Sequence, residues 1–256
     1  MIENIGTKGF ETISKPSLEL LQIIAQMKSE TSQPLNVAEI GVGIGATTVE
    51  IVRIMEGDGK LFLFDFVDKV ETLKSDLQKL ETTQGLEIEC WGNSRKSFDS
   101  YAWTLANLLK QEKKTGHTGE VFDIIYLDGA HTFLHDAAAC ALLKELLREN
   151  GYIVFDDMYW SHVKSPSHNP INNPGVSAGF TDQQLNTPNV ELVVDCLVRT
   201  DPRFAQVFLT QNRKPYRAVF QKKLEHCDRR NLQRKSTIMT FLELFLQIPI
   251  CPAVSK

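Results

Sequence analysis

Three aspartates, a glycine-punctuated turn and one histidine are the residues of this chain whose types and spacing suit chemistry. Asp128 closes the apolar run IIYLDGAH, and Asp156 with Asp157 closes YIVFDD. Both runs are apolar up to their ends, so these carboxylates should emerge together at one sheet edge and converge on a cleft. Carboxylates that close repel one another unless a cation compensates them. An all-oxygen set favours Mg2+, Mn2+ or Ca2+ over zinc, with Mg2+ preferred. Such an ion would activate an alcohol, whose pKa of about 16 makes it a poor nucleophile, and would hold its oxygen in line for attack. In the alternative without metal, Asp157 caps the following segment and Asp156 orients a ligand amine. His131, three residues after Asp128, is either a general base or an imidazole that orients a carboxylate. His135 reads as packed or solvated, and His162 and His168 fall in a long loop.

The second constellation is Glu39-Ile-Gly41-Val-Gly43-Ile-Gly45-Ala46. It stands where a strand becomes a helix, the place where parallel sheets bind ligands. Glycines let the chain turn tightly and let a ligand touch the backbone. Gly41, Gly43 and Ala46 satisfy G-x-G-x-x-G/A, and Asp65 ends the next strand as a ribose-binding acid would, which fits NAD. S-adenosylmethionine fits the same frame, with Asp65 on the ribose, the turn passing the amino-acid portion and Glu39 holding its ammonium. A merely tight turn is the bland alternative, and Asp68 is a weaker substitute for Asp65. Asn93 and Ser94, after the third strand, either meet adenine or cap a helix.

These residues need a scaffold, and the pattern supplies one. A helix over about 15–28 precedes strand LNVAEIG and helix ATTVEIVRIM; strand KLFLFDF and helix VDKVETLKSDLQKLE follow. Strand LEIECWG leads into a helix through about Leu109. Strand VFDIIYLDGA and helix TFLHDAAACALLKELLREN come next, with Gly151 ending that helix before YIVFDD. Such alternation predicts a doubly wound parallel α/β sheet covered on both faces. Residues 158–189 hold four prolines and five asparagines without a sustained period, which reads as a substrate-facing loop. VELVVDCLVRT is helical or possibly a strand, and FAQVFLT with YRAVFQKK forms a hairpin across QNRKP. The tail holds an apolar helix candidate, STIMTFLELFLQIP, suited to packing, a dimer contact or a link to a further domain.

Lys plus Arg number 28 against 32 Asp plus Glu, so no basic field points to nucleic acid or an anionic membrane. The five cysteines lie far apart without a C-x-x-C pair, as expected of reduced thiols in a cytoplasmic protein. No apolar run reaches eighteen residues, so no membrane span is expected.

Taken together, E-I-G-V-G-I-G, Asp65, L-D-G-A-H and V-F-D-D resemble a class I S-adenosylmethionine-dependent methyltransferase. D-G-x-H, an Ala-rich helix and G-Y-I-V-F-D-D are similar, more narrowly, to the metal-dependent sugar O-methyltransferases of macrolide and aminocoumarin antibiotic biosynthesis. The resemblance covers roughly residues 35 to 220. It implies a Rossmann-like seven-stranded sheet with an antiparallel last strand. It also implies metal ligands at Asp128, Asp156 and Asp157, and cofactor contacts at Glu39, Gly41, Gly43, Gly45 and Asp65. Asp128 is expected on both the cofactor and the catalytic side. One departure stands out: the family often has an acid, proposed as the base, two residues after the first metal ligand, and here that residue is Ala130.

The expected organisation is an N-terminal helical segment over 1–34, a methyltransferase domain over 35–225 and a helical tail over 226–256. The expected activity is Mg2+-assisted O-methylation of a small molecule or natural product in the cytoplasm, by a possible homodimer. A carboxylate acceptor, such as a small acid or peptide C-terminus, would need neither base nor metal. An NAD-dependent oxidoreductase and a non-catalytic subunit docking through 236–248 are the remaining alternatives.

Overall fold

Hydrophobic alternation along the strands decides the architecture. In the computed structural model, which describes residues 15–116, 118–165, 168–209 and 216–224, seven strands form one sheet in the order β3-β2-β1-β4-β5-β7-β6. They are β1 (Asn36–Ile40), β2 (Lys60–Phe66), β3 (Glu87–Asn93), β4 (Phe122–Leu127), β5 (Leu147–Phe155), β6 (Phe204–Val207) and β7 (Ala218–Lys222). The first five are parallel, and β7 runs antiparallel between β5 and β6. A doubly wound dinucleotide fold orders its strands 3-2-1-4-5-6 without that reversed insertion.

Because successive side chains face opposite ways, each strand feeds two cores. Ala38, Ile40, Phe62, Phe64, Ile125, Leu127, Ile153 and Phe155 pack on one face against α4 (Tyr101–Lys114), α5 (Phe133–Leu146) and α7 (Asn189–Leu197). Val37, Leu61, Leu63, Ile124, Tyr126 and Val154 pack on the other against α1 (Leu18–Glu30), α2 (Ala46–Met55) and α3 (Val67–Leu77). The connection after β5 carries two short 3-10 turns and α6 (Asp182–Asn186) before α7. Met1–Lys223 forms one compact unit that includes α1, and Leu224–Lys256 forms a second, of which only Leu224 is described. The apolar tail helix therefore lies outside the described residues.

Three local expectations need correction. Helix α5 ends at Leu146 rather than near Gly151, because Leu147 already pairs with Phe122. The pairing then shifts register before Tyr152 meets Ile124, so 148–151 bulge out of the strand, with Asn150 at φ 62°. Helix α4 continues past Leu109 to Lys114. The β6–β7 pair is antiparallel as expected, but β6 stops at Val207 and β7 starts at Ala218, so the connection is longer than QNRKP. Among the described residues no helix is long and apolar enough to cross a membrane. Cys90, Cys140 and Cys196 are free thiols.

Candidate active site

The glycine turn sits at the carboxyl end of β1, and each of its glycines has left-handed backbone: φ is 86° at Gly41, 52° at Gly43 and 83° at Gly45. Their reasons differ. A Cβ on Gly41 would lie 1.9 Å from the Asp128 carbonyl oxygen, so Gly41 lets the lip after β4 close against the turn. A Cβ on Gly43 would meet nothing within 4 Å, so its bare backbone faces open space. Gly45 ends the turn and precedes α2.

Two acids flank the turn. Glu39 is buried, on the face toward α2, and accepts a 2.7 Å hydrogen bond from the Thr48 hydroxyl. Burial pushes its carboxyl up to about 8, against the Thr48 hydrogen bond and with help from the nearby Asp128 and Asp65 charges. Asp65 lies in the last turn of β2, and its Oδ2 accepts from the Val42 and Gly43 amides at 3.1 and 3.3 Å. Asp68 instead pairs with Arg95 at the surface, away from the turn. Asn93, in register with Phe66 at the same sheet edge, is buried, and its Oδ1 has no partner. The helix-cap alternative for Asn93 and Ser94 fails: α4 starts at Tyr101 with Ser100 before it, and the Ser94 amide donates to Asp99.

The lip after β4 is clamped from behind. Tyr101 donates a 2.6 Å hydrogen bond to the buried Asp136, and the Ala130 amide donates to the same tyrosine hydroxyl at 3.0 Å. Gly129 is wedged there, since a Cβ would fall 2.3 Å from Asp136 Oδ1. This clamp presents Asp128 and then His131 at φ 53°. His131 Nε2 stands 3.3 Å from Asp128 Oδ1 and 3.7 Å from Asp157 Oδ2, with the Trp160 ring 5.1 Å away. Burial pulls this imidazole down, but Asp128 and then Asp157 outweigh it and raise its pKa to about 9. At neutral pH His131 is thus an imidazolium bridging two carboxylates, an orienting rather than a proton-accepting state. Asp128 is itself raised to about 6, by burial and the Asp156 charge, with His131 opposing.

The three aspartates meet at one sheet edge, near enough for Asp128 to feel the charges of Asp156 and Asp157, but they do not share one set of partners. Asp156 continues the alternation that sends Val154 to the α1 face, whereas Asp157 turns away at φ 49°. Asp156 is buried against Arg217, whose Nε lies 2.8 Å from Oδ1, and the Tyr126 hydroxyl donates to its Oδ2. Arg217 also reaches Glu19 of α1 at 3.2 Å. Among the described residues no group of three His, Cys, Asp or Glu side chains is arranged to hold a metal ion. The metal set Asp128, Asp156 and Asp157 therefore does not fit. What the expectation lacked is the cation already seated on Asp156, the Arg217 guanidinium. Arg217, Tyr126 and Glu19 were missed; the only trace in the sequence was an arginine opening the last strand.

Residues 38–158 match the model of a family described as a methyltransferase domain. Comparison with curated proteins finds no match. Among solved structures, the chain resembles a provisionally identified O-methyltransferase from Klebsiella pneumoniae (16% identity, 87% of each chain covered, TM-score 0.52). It also resembles a provisionally identified caffeoyl-CoA O-methyltransferase from Staphylococcus aureus (18% identity, 87% of this chain and 91% of that one, TM-score 0.51). A third is the cofactor-bound Rv0187 from MTB (18% identity, 83% of each chain, TM-score 0.52). At such identity these likenesses speak for the fold. The family match covers the turn, both flanking acids and the β4 lip, and the sheet with its reversed β7 has the methyltransferase Rossmann-like fold.

Proposed function

We propose that this protein is an S-adenosylmethionine-dependent O-methyltransferase that moves a methyl group to a hydroxyl of a small molecule or natural product. The observation that carries the reading is the cradle at β1. A buried carboxyl, Glu39, lies beneath a turn whose Gly43 faces open space, and Asp65 closes the far side. When bound, S-adenosylmethionine supplies a sulfonium methyl that an acceptor oxygen attacks in line. Glu39 receives the ammonium group, Asp65 exchanges the turn amides for ribose hydroxyls, and the unpaired Asn93 Oδ1 takes an adenine amino hydrogen. Asp128 accepts the hydroxyl proton as the oxygen–methyl bond forms, and the His131 imidazolium holds Asp128 in place. Magnesium has no part in this reading.

Calorimetry with S-adenosylmethionine and, separately, NADH tests it. Heat from NADH with none from S-adenosylmethionine would overturn the assignment. Screening metabolite and peptide extracts with methyl-labelled S-adenosylmethionine then identifies the acceptor. A second reading, transfer to a carboxylate, is favoured by Ala130 standing where the similar family places an acid, since an ionised acceptor needs no base. A labelled product that mild alkali hydrolyses would select this ester-forming reaction over ether formation.

A further inference from the structure

We propose that Arg217 is the resident cation of this site and that the protein works without a divalent metal ion, the second half resting on the methyltransferase reading above. An ionised carboxylate offers about four lone-pair positions; three of those of Asp156 accept hydrogen bonds, and the guanidinium lies against the rest. Its Oδ1 faces Arg217 Nε at 2.8 Å and accepts the Asp157 amide at 2.9 Å. Its Oδ2 accepts from the Tyr126 hydroxyl and from Arg217 Nη2 at 3.4 Å. A cation that demands near-octahedral geometry and gives up its water reluctantly would have to push the guanidinium off this carboxylate.

The guanidinium is built in rather than incidental. It leaves the chain immediately before β7, the strand inserted antiparallel beside β5, so the insertion delivers the charge to the end of β5. Its other nitrogen meets Glu19 in the first turn of α1 at 3.2 Å, and both carboxylates are buried. Arg217 therefore neutralises Asp156 and ties the first helix to the last strand. The other two aspartates have the His131 ring between them, its Nε2 3.3 Å from Asp128 and 3.7 Å from Asp157. A divalent ion would have to displace the guanidinium and would meet its repulsion on approach.

The test begins with the wild-type protein, titrated with MgCl2 by calorimetry and melted in EDTA and in millimolar MgCl2. The expected result is no binding heat and an unchanged Tm; binding heat, or a rise in Tm that EDTA reverses, overturns the proposal. Arg217→Ala removes the cation from two buried carboxylates, and its Tm should fall on the order of 10 °C. Arg217→Lys keeps the charge without the fork and should fall less, which keeps the test decisive if the alanine variant does not fold. An Arg217→Ala protein as stable as wild type would overturn the proposal. Labelled methyl transfer should be equal in EDTA and in MgCl2, and loss in EDTA reversed by MgCl2 would overturn it. Absence of heat from S-adenosylmethionine would instead end the methyltransferase reading, and the magnesium titration would still decide the role of Arg217.

Discussion

Glu39 has a carboxyl that burial keeps protonated at neutral pH until something cationic arrives. Binding an ammonium group there requires the ionised form, so uptake of S-adenosylmethionine should expel a proton. Affinity should climb with pH, by no more than about tenfold per unit, and level off above about 8. Calorimetry in buffers of different ionisation enthalpy reads the proton directly. Glu39→Gln should remove both the proton release and the pH dependence and weaken binding by about 2 kcal/mol, as expected for a hydrogen bond to a charged group. The glycines of the turn separate by the same reasoning. Gly41→Ala forces a Cβ into the Asp128 carbonyl and should cost about 2–4 kcal/mol of stability in urea unfolding. Gly43→Ala has space for its methyl, so it should cost only about 1 kcal/mol of backbone strain while losing cofactor affinity. Equal loss of stability in the two variants would contradict the distinction.

Single elements show where reading the sequence succeeds and where it stops. Strand ends and glycine turns were legible because apolar runs and their breakers are local signals, and Glu39, the turn and Asp65 do come together as expected. The partner of Asp156 was not legible: the two-residue period of the strand continues through it and turns it toward Arg217. Its partner Arg217 is sixty-one residues away along the chain, a separation with no local signature. The clamp behind the lip was equally silent, since Tyr101 and Asp136 come from the starts of α4 and α5. Tyr101→Phe removes the hydroxyl that links Ala130 to Asp136, leaving a buried carboxylate with one donor fewer. Stability should drop by about 1–2 kcal/mol. Because the clamp aims Asp128 and not the cofactor cradle, kcat should fall while S-adenosylmethionine affinity stays near wild type. A variant that loses cofactor binding in step with turnover would show that the clamp supports the cradle instead.

Across the whole molecule the catalytic edge concentrates negative charge that folding makes harder to ionise. Burial raises Glu39 to about 8 and Asp128 to about 6, and it also raises Asp136 and Asp157. His131 moves up to about 9, its two carboxylate neighbours overcoming burial. All these groups bind protons more tightly folded than unfolded. For each, the contribution to stability is fully present below the unfolded pKa and is lost as pH rises through the folded one. Asp201 is shifted the other way by Arg203 and Lys144, against burial, but its window lies below about pH 4. Between about pH 5 and 9 the unliganded protein should therefore weaken steadily as pH rises, opposite to the acid unfolding usual for carboxylate-rich proteins. Urea midpoints across that range should fall with pH for the free protein. Saturating S-adenosylhomocysteine, whose ammonium group favours the ionised form of Glu39, should flatten the slope most between pH 6 and 8, where that carboxyl titrates. Glu39→Gln should flatten the same segment without ligand. A midpoint that rises with pH in the free protein would mean that these carboxyls are ionised at ordinary values and that the edge is more open to water than the packing around it implies.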